Sequence, residues 1–167
     1  SNNVTQIDAA TARVTRTIGV GTSPVGILFD GRHIWTANAN SNNVSRIDLE
    51  TLAVDNFATG AGSRGLAYDG DNIWVSNGGS SNVVRLDPIT GTQVGASITV
   101  GPSPFGIAFD GTSMWVANLS SNTVTVVDAA SGTVTKTLAT SSSCSLASFT
   151  SRPSVPSARF ILSVICW

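Results

Sequence analysis

Residues 29–38 read Phe-Asp-Gly-Arg-His-Ile-Trp-Thr-Ala-Asn, and this stretch decides the fold because the chain repeats its pattern twice. The second copy covers residues 68–77, and the third covers residues 109–118. The tryptophans of the three copies are 39 and 41 residues apart. An aspartate that ends a later strand keeps nearly the same interval, at Asp8, Asp48, Asp87 and Asp128. A period of about 40 residues is typical of propellers and solenoids, so we expect an array of such units.

Each unit contains four short strand-like runs separated by turn residues, without helical periodicity. In the first whole unit these runs are residues 25–29, 34–37, 44–49 and 54–58. Asp30-Gly31 suits a tight hairpin, because glycine accepts a positive φ without steric cost. Four antiparallel strands per repeat predict the blade of a β-propeller. A parallel β-helix is the alternative. Its coils are usually shorter than this repeat, and the Asp-Gly hairpin signals in the sequence count against it.

The period divides the chain into three whole blades and two doubtful ends. Residues 19–59, 60–100 and 101–140 form the blades, and residues 1–18 match only strands three and four, the outer half of a blade. In residues 141–167 the Asp-Gly turn is missing, and neither a Trp nor a closing Asn stands at its expected repeat position, although Phe149 stands at the expected aromatic position. This tail is either a degenerate inner half-blade, with residues 145–150 and 159–166 as strands one and two, or an out-of-frame or truncated end. The abrupt change favours the second origin.

An arc of blades has two bare faces, and blades of this kind need neighbours on both sides to bury their core. We therefore expect self-association. The favoured arrangement is a head-to-tail dimer, in which the tail of one chain supplies inner strands for residues 1–18 of the other. Two chains would then form an eight-bladed ring with closed two-fold symmetry. Closure of four blades within one chain is the alternative.

The composition excludes several partners. Charged residues make up only 11% of the chain, against roughly 25% in ordinary soluble proteins. The net charge of −1 and the single lysine leave no basic stripe that could bind nucleic acid. No run approaches the roughly 20 apolar residues that span a bilayer. A surface rich in Ser, Thr and Asn favours an extracellular or cell-surface location.

The two cysteines, Cys144 and Cys166, both lie in the tail. A disulfide in an oxidising compartment and two free thiols are both open. Neither a CxxC motif nor a Cys/His cluster is present, so the sequence predicts no zinc site and no cofactor.

The third unit resembles the YVTN family of β-propeller repeats, which occurs in surface-layer-like and other exported microbial proteins. The resemblance rests on Trp-Thr-Ala-Asn at 35–38, Trp-Val-Ser-Asn at 74–77 and Trp-Val-Ala-Asn at 115–118, with Trp where the family has Tyr. It covers residues 1–140 and implies a propeller fold. It does not imply one activity, since propellers host many unrelated functions.

The chain is also distantly similar to the streptogramin (virginiamycin B) lyases, seven-bladed and metal-dependent enzymes. The lyase activity that this resemblance implies would require clustered His and Glu side chains at the channel mouth. The chain has one histidine, His33, and one glutamate, Glu50, on turns of different strand pairs. The catalytic set does not carry over, so no catalytic or metal-binding residue is predicted.

Four residues are candidates for ligand binding. Asn38, Asn77 and Asn118 could line one face of a ring, although capping of a turn by the side chain is the favoured interpretation. Arg64 stands where the other units have Val25 and Phe105, just before the innermost strand. It could bind an anion or a carboxylate at the channel entrance, although an ordinary ion pair is favoured.

Two recurring residue types have structural explanations. The aspartates at 48, 87 and 128 resemble calcium ligands at first sight, but turn formation explains them better, since the spacing of an EF-hand is absent. The tryptophans could stack on sugars, but their place in strand two favours packing between blades.

The sequence therefore predicts an all-β propeller acting as a non-enzymatic scaffold that binds a protein or a glycan. An enzyme with its site at the channel mouth, or a truncated fragment without a function of its own, are the alternatives.

Overall fold

The computed structural model describes residues 1–140, 144–150 and 161–166, and every regular element in them is a strand. The strands are β1 (Asn3–Ile7), β2 (Val14–Gly19), β3 (Pro24–Phe29), β4 (His33–Asn38), β5 (Asn43–Asp48), β6 (Val54–Ala58), β7 (Ser63–Tyr68), β8 (Ile73–Asn77), β9 (Asn82–Leu86), β10 (Ile98–Thr99), β11 (Pro104–Phe109), β12 (Ser113–Asn118), β13 (Thr123–Asp128), β14 (Val134–Ala139), β15 (Cys144–Thr150) and β16 (Ile161–Cys166). No helix in these residues could cross a membrane.

Three antiparallel sheets of four strands each form the centre of the chain. We call them blade 1 (β3–β6), blade 2 (β7–β10) and blade 3 (β11–β14). Strands follow one another in chain order across each sheet, and the first strands of successive blades contact each other, β3 with β7 and β7 with β11. The predicted all-β fold built from propeller blades is confirmed.

Two-stranded sheets stand at both ends of the described chain. In the β1–β2 sheet Asn3 lies opposite Gly19, the register that places Thr123 opposite Ala139 in blade 3. This sheet therefore has the form of strands three and four of a blade. At the other end β15 pairs with β16 and contacts β11 and β12 of blade 3. The backbone register places Cys144 opposite Cys166.

Strand four of blade 2 is shorter than strand four of blades 1 and 3. β10 contains only Ile98 and Thr99, whereas β6 and β14 contain five and six residues. Gln93 forms an isolated bridge with Leu86, and Gly95 then adopts a positive φ of 71°. This left-handed residue turns the chain away from the sheet, so strand four begins late.

The hydrophobic core lies between neighbouring blades. Trp35 of blade 1 is fully buried and packs in one cluster with Ile73 and Leu86 of blade 2. Trp74 of blade 2 packs in the same way against Met114 and Val127 of blade 3. Packing between blades, as predicted for the tryptophans, is confirmed for these two.

A repeated hydrogen-bonded turn explains the Asp-Gly…Trp pattern. Asp30 Oδ1 accepts bonds from the backbone amides of Arg32 and His33, at 2.8 and 2.6 Å. Asp30 Oδ2 accepts a 2.7 Å bond from the indole Nε1 of Trp35. The indoles of the other two copies bond to Asp69 and Asp110 at 2.5 and 2.7 Å. One carboxylate thus closes the hairpin and fixes the tryptophan of the same repeat, which explains why each repeat contains both residues.

Arginines on the third strands join neighbouring blades. Arg46 of blade 1 donates from Nη1 to the backbone carbonyls of Pro88 and Ile89 in blade 2, at 2.9 and 2.5 Å. Its Nη2 bonds to Asp55 at 2.6 Å, and its guanidinium stands over the ring of Phe57. Arg85 occupies the same position in blade 2 and stands over Trp74. Contacts of these arginines were not predicted from the sequence, although their recurrence two residues before Asp48 and Asp87 indicates a shared role.

Candidate functional site

Arg64 lies near the beginning of β7, the first strand of blade 2, at the junction with blade 3. Its guanidinium carbon stands 5.4 Å from the centroid of the Phe105 ring, a cation–π distance. The side chain also lies against Gly78, the first residue after β8. A Cβ at Gly78 would lie 2.8 Å from Arg64 Nε, so glycine makes room for the arginine.

The guanidinium of Arg64 has no carboxylate partner in residues 1–140. None of the ion pairs within this range includes it, and none of the side-chain hydrogen bonds there does either. The sequence favoured an ordinary ion pair at this position, and that interpretation finds no support in this range. Arg46, by contrast, combines its stacking with an ion pair to Asp55. Arg64 is thus a half-buried cation whose guanidinium has no hydrogen-bond partner within residues 1–140.

A serine holds the backbone around Arg64 and Phe105 in place. Ser76 Oγ accepts a 2.9 Å bond from the amide of Gly65 and donates a 2.7 Å bond to the carbonyl of Phe105. Gly65 approaches closely, since a Cβ there would lie 2.2 Å from the Phe105 carbonyl oxygen. The other two repeats have alanine at the serine position. Sequence reasoning missed Ser76, and this exchange within the repeat was the only signal for it.

The three recurring asparagines are buried inside the blades. Asn38, Asn77 and Asn118 are 0%, 0% and 1% exposed. Their Nδ2 atoms donate to side chains on strand three: Asn43 and Ser45 for Asn38, Asn82 for Asn77, and Thr123 and Thr125 for Asn118. These bonds connect strands two and three. The side chains do not reach the surface, so a ligand cannot contact them there.

The aspartates that end the third strands form turns, as the sequence analysis favoured. Asp48 Oδ1 accepts bonds from the amides of Glu50 and Thr51, at 2.9 and 2.8 Å. The Thr51 amide and hydroxyl bonds, with smaller help from the Glu50 amide, lower the pKa of Asp48. Asp87 and Asp128 make the corresponding turns. Within the described residues no group of His, Cys, Asp and Glu side chains has the arrangement of a metal site.

His33 and Glu50 are at the opposite ends of the strands from the position of Arg64. His33 is 9% exposed, and its Nδ1 stands 3.1 Å from Asp30 Oδ2 while its Nε2 stands 3.9 Å from Asp48 Oδ2. Glu50 belongs to the exposed turn after β5. Both ring nitrogens of His33 thus face carboxylates that already form turns, which gives this residue a structural role.

A wide cavity of about 580 Å³ opens between blades 2 and 3, at the end of the strands away from Arg64. Asp69, Asp71, Arg85 and Asp128 line it together with Phe109. The carboxylates of Asp69 and Asp128 already accept turn hydrogen bonds. Their arrangement is therefore explained by the turns.

These features define the chain as a β-propeller protein, and solved structures agree. Neither a protein-family model nor a curated protein matches the sequence, so the similarity to YVTN repeats stays a prediction. A streptogramin B lyase structure is similar with a TM-score of 0.74, at 15% identity over 96% of this chain and 55% of that chain.

Two further propellers show the same likeness. Virginiamycin B lyase from Staphylococcus aureus matches with a TM-score of 0.73, at 14% identity over 89% of this chain and 52% of that one. Hydrazine synthase from Kuenenia stuttgartiensis matches with a TM-score of 0.70, at 24% identity over 83% of this chain and 42% of that one. The chain spans about half the length of these proteins. At such identities the likeness shows the fold alone.

Proposed function

We propose that this protein is a non-enzymatic propeller scaffold that binds a carboxylate-bearing protein or glycan, with Arg64 as the anchoring contact. The observation that carries the proposal is the half-buried guanidinium of Arg64, stacked on Phe105 without a carboxylate partner in residues 1–140. Guanidinium groups suit carboxylates because they donate two parallel hydrogen bonds. A stacked guanidinium is already ordered, so less side-chain entropy is lost when a ligand binds.

The position of Arg64 supports binding at the loops. It lies where the chain enters the first strand of a blade, beside the loop that follows β8. Loops on a rigid scaffold are common places for recognition in proteins. The two hydrogen bonds of Ser76 connect the backbones of blades 2 and 3 at this junction, which favours a preformed contact.

An enzyme at the channel mouth is the second candidate, and the likeness to lyase structures is the observation that favours it. Those lyases share the fold with this chain at 14% and 15% identity. His33 is engaged with two aspartates and lies away from the Arg64 end. Incubation of the full chain with streptogramin B and a divalent metal tests this candidate, and cleavage of the substrate would favour it over the scaffold.

Binding of polygalacturonate, a polymer of uronic acid, tests the scaffold proposal. We expect binding of this probe in biolayer interferometry and none of a neutral glucan. Arg64→Gln should weaken binding at least tenfold, while Arg13→Gln, which removes an exposed arginine elsewhere, should leave it unchanged. A panel of acidic peptides, measured by the same method, tests whether the ligand is a protein instead of a glycan. Equal affinity of the two variants for every bound probe, or no binding of any acidic probe, would overturn the role of Arg64.

A further inference from the structure

The β1–β2 sheet has strands three and four of a blade but no strand two beside it. In blades 1, 2 and 3 the third strand pairs with a second strand over its whole length, as β5 does with β4. Among the described strands, β1 pairs only with β2. Within the described part of the chain, one edge of β1 therefore presents unpaired backbone groups, and such an edge readily pairs with another strand.

The neighbouring face of blade 1 is uncovered. Ile27 on β3 is 63% exposed, whereas Ile107, at the same repeat position on β11, is 9% exposed. Ile107 is buried because it packs in one cluster with Trp74 of the preceding blade. Val25 and Phe29, on the same face as Ile27, are 50% and 54% exposed. The β1–β2 sheet precedes blade 1 and, among the described strands, lacks the first two strands of a blade, which would cover these side chains.

A groove joins this face to the β1 edge. A cavity of about 330 Å³ is lined by Val4, Ile18, Ile27 and Ile47 among others, and an adjoining one of about 200 Å³ shares Val4 and Ile27 with it. The lining is predominantly apolar. The groove thus requires an apolar strand pair that hydrogen-bonds to β1 on one side and packs on β3 on the other.

The strands β15 and β16 are such a pair. β15 contacts β11 as β11 contacts β7, so it takes the place of a first strand next to blade 3. Phe149 pairs with Leu162 as Phe29 pairs with Ile34, which gives β16 the register of a second strand. Among the described strands, β16 pairs only with β15, and the two incomplete sheets are separate.

We propose that the groove binds β15 and β16 of a second copy of this chain, so that β16 of one copy pairs with β1 of the other and completes a blade. Each copy offers one groove and one strand pair. Two copies can therefore close a ring of eight blades around a two-fold axis. Ser163 stands in the sequence where the complete repeats have tryptophan, so we expect less apolar contact at the new junction than at the others. We expect an assembly that dissociates on dilution.

The first experiment measures mass by size-exclusion chromatography with light scattering over a range of concentrations. The wild-type chain should reach twice its mass of 17.1 kDa. Ile27→Lys should remain a monomer, and Ile89→Lys, which replaces a 79% exposed isoleucine away from the groove, should behave like the wild type. Far-UV circular dichroism confirms that both variants fold. A wild-type monomer at every concentration, open polymers, or dimeric Ile27→Lys would overturn the proposal.

A cross-link identifies which strands meet. In complete blades the residues at the positions of Cys166 and Asn3 touch: Asn38 Nδ2 lies 2.9 Å from Asn43 Oδ1, and Asn77 Nδ2 lies 2.9 Å from Asn82 Oδ1. The double variant Asn3→Cys, Cys144→Ser should therefore form a disulfide between copies when oxidised glutathione is added. Two thiols lose two electrons and two protons, and the glutathione disulfide is reduced to two thiols.

The position of the second cysteine provides the control. Gln6→Cys with Cys144→Ser places the thiol three residues further along β1, roughly 10 Å from the pairing position, beyond the reach of a disulfide. We expect a dimer band on a non-reducing gel only for the Asn3 variant. An internal cross-link within one chain would instead show four-bladed closure and overturn the second copy as occupant. Equal cross-linking of both variants would overturn the register.

Discussion

The junction between blades 2 and 3 and the open face of blade 1 differ in what covers the same repeat position. Ile107 on β11 has a complete blade beside it, whereas Ile27 on β3 has only the outer half of one. The two strands share sequence pattern, length and register. The comparison shows that a blade of this protein forms its own hydrogen bonds, while its apolar faces are buried only by the neighbouring blades.

Truncation of the two isoleucines is the strongest test of this difference. Ile107→Ala should lower the free energy of unfolding by about 2–4 kcal/mol, because it creates a cavity in a packed cluster. Ile27→Ala should change it by less than about 0.5 kcal/mol in dilute protein, since its side chain is exposed. Urea denaturation followed by tryptophan fluorescence measures both. At high concentration the cost of Ile27→Ala should rise if the face becomes covered, and equal costs in dilute protein would remove the distinction between the two junctions.

The contacts of Arg46 between blades 1 and 2 provide a second test of the junctions between complete blades. Arg46→Ala should cost about 2–3 kcal/mol, because it removes hydrogen bonds to two carbonyls of blade 2 together with the stacking on Phe57. Arg32→Ala is the matched control, since its side chain is 73% exposed and its ion pair with Asp48 spans 3.8 Å. We expect a cost below about 0.5 kcal/mol there. Comparable losses in thermal denaturation would show that Arg46 contributes nothing beyond a surface charge.

Much of this architecture could be predicted from the sequence, because the signals for blades are local. Asp30, Gly31 and Trp35 define one hairpin and one packing position, and a fixed interval repeats them. The outer half-blade was equally readable, since Asp8 keeps the spacing of the third strand. A repeat whose residues interact mainly with their own blade and the next one shows its fold in its period.

The candidate site was harder to predict because it depends on contacts between repeats. Burial of Asn38 could not be read from its position at a strand end, where surface turn residues also occur. The stacking of Arg64 on Phe105 joins residues about one repeat apart, and the Ser76 bridge depends on a close approach of two backbones. The lack of a partner for the Arg64 guanidinium within residues 1–140 depends on its neighbours in space, which no local pattern encodes.

Acid should weaken the hairpin turns on which all junctions depend. Burial raises the pKa of Asp110, but bonds from the Ser113 amide, the Trp115 indole and the Thr112 amide outweigh it and hold the pKa below the ordinary 3.8. A depressed pKa in the folded state adds stability above about 3.8, and this stability is lost as the pH falls through the folded value. Urea midpoints at pH 7, 5 and 3 should therefore fall steeply only in the last step.

Asp110→Asn should reduce that pH dependence and cost about 1 kcal/mol at pH 7, because an amide nitrogen cannot accept the indole bond. Asp71→Asn, in an exposed loop position, serves as the control. An unchanged acid response in the Asp110 variant would show that this carboxylate does not contribute to it.

The smallest expected effect concerns the inside of blade 3. Asn118 Oδ1 is buried without a hydrogen-bond partner in residues 1–140, whereas Asn38 Oδ1 accepts a 3.2 Å bond from Thr36 and Asn77 Oδ1 one from Ser63. Blade 3 has Val116 at the position of Thr36, and Pro104 at the position of Ser63. Val116→Thr places a hydroxyl beside the unsatisfied oxygen and should stabilise the fold by about 0.5–1 kcal/mol.

The same exchange in blade 2 is the matched control for this effect. Val75 is fully buried, and Ser63 already supplies a donor to Asn77, so Val75→Thr buries a hydroxyl that gains little. We expect it to destabilise the fold by about 1–2 kcal/mol. The opposite signs follow from one hydrogen bond, because both sites receive the same side chain at the same repeat position. Equal destabilisation by both threonines would mean that the Asn118 oxygen is already satisfied, for example by a buried water that the hydroxyl displaces.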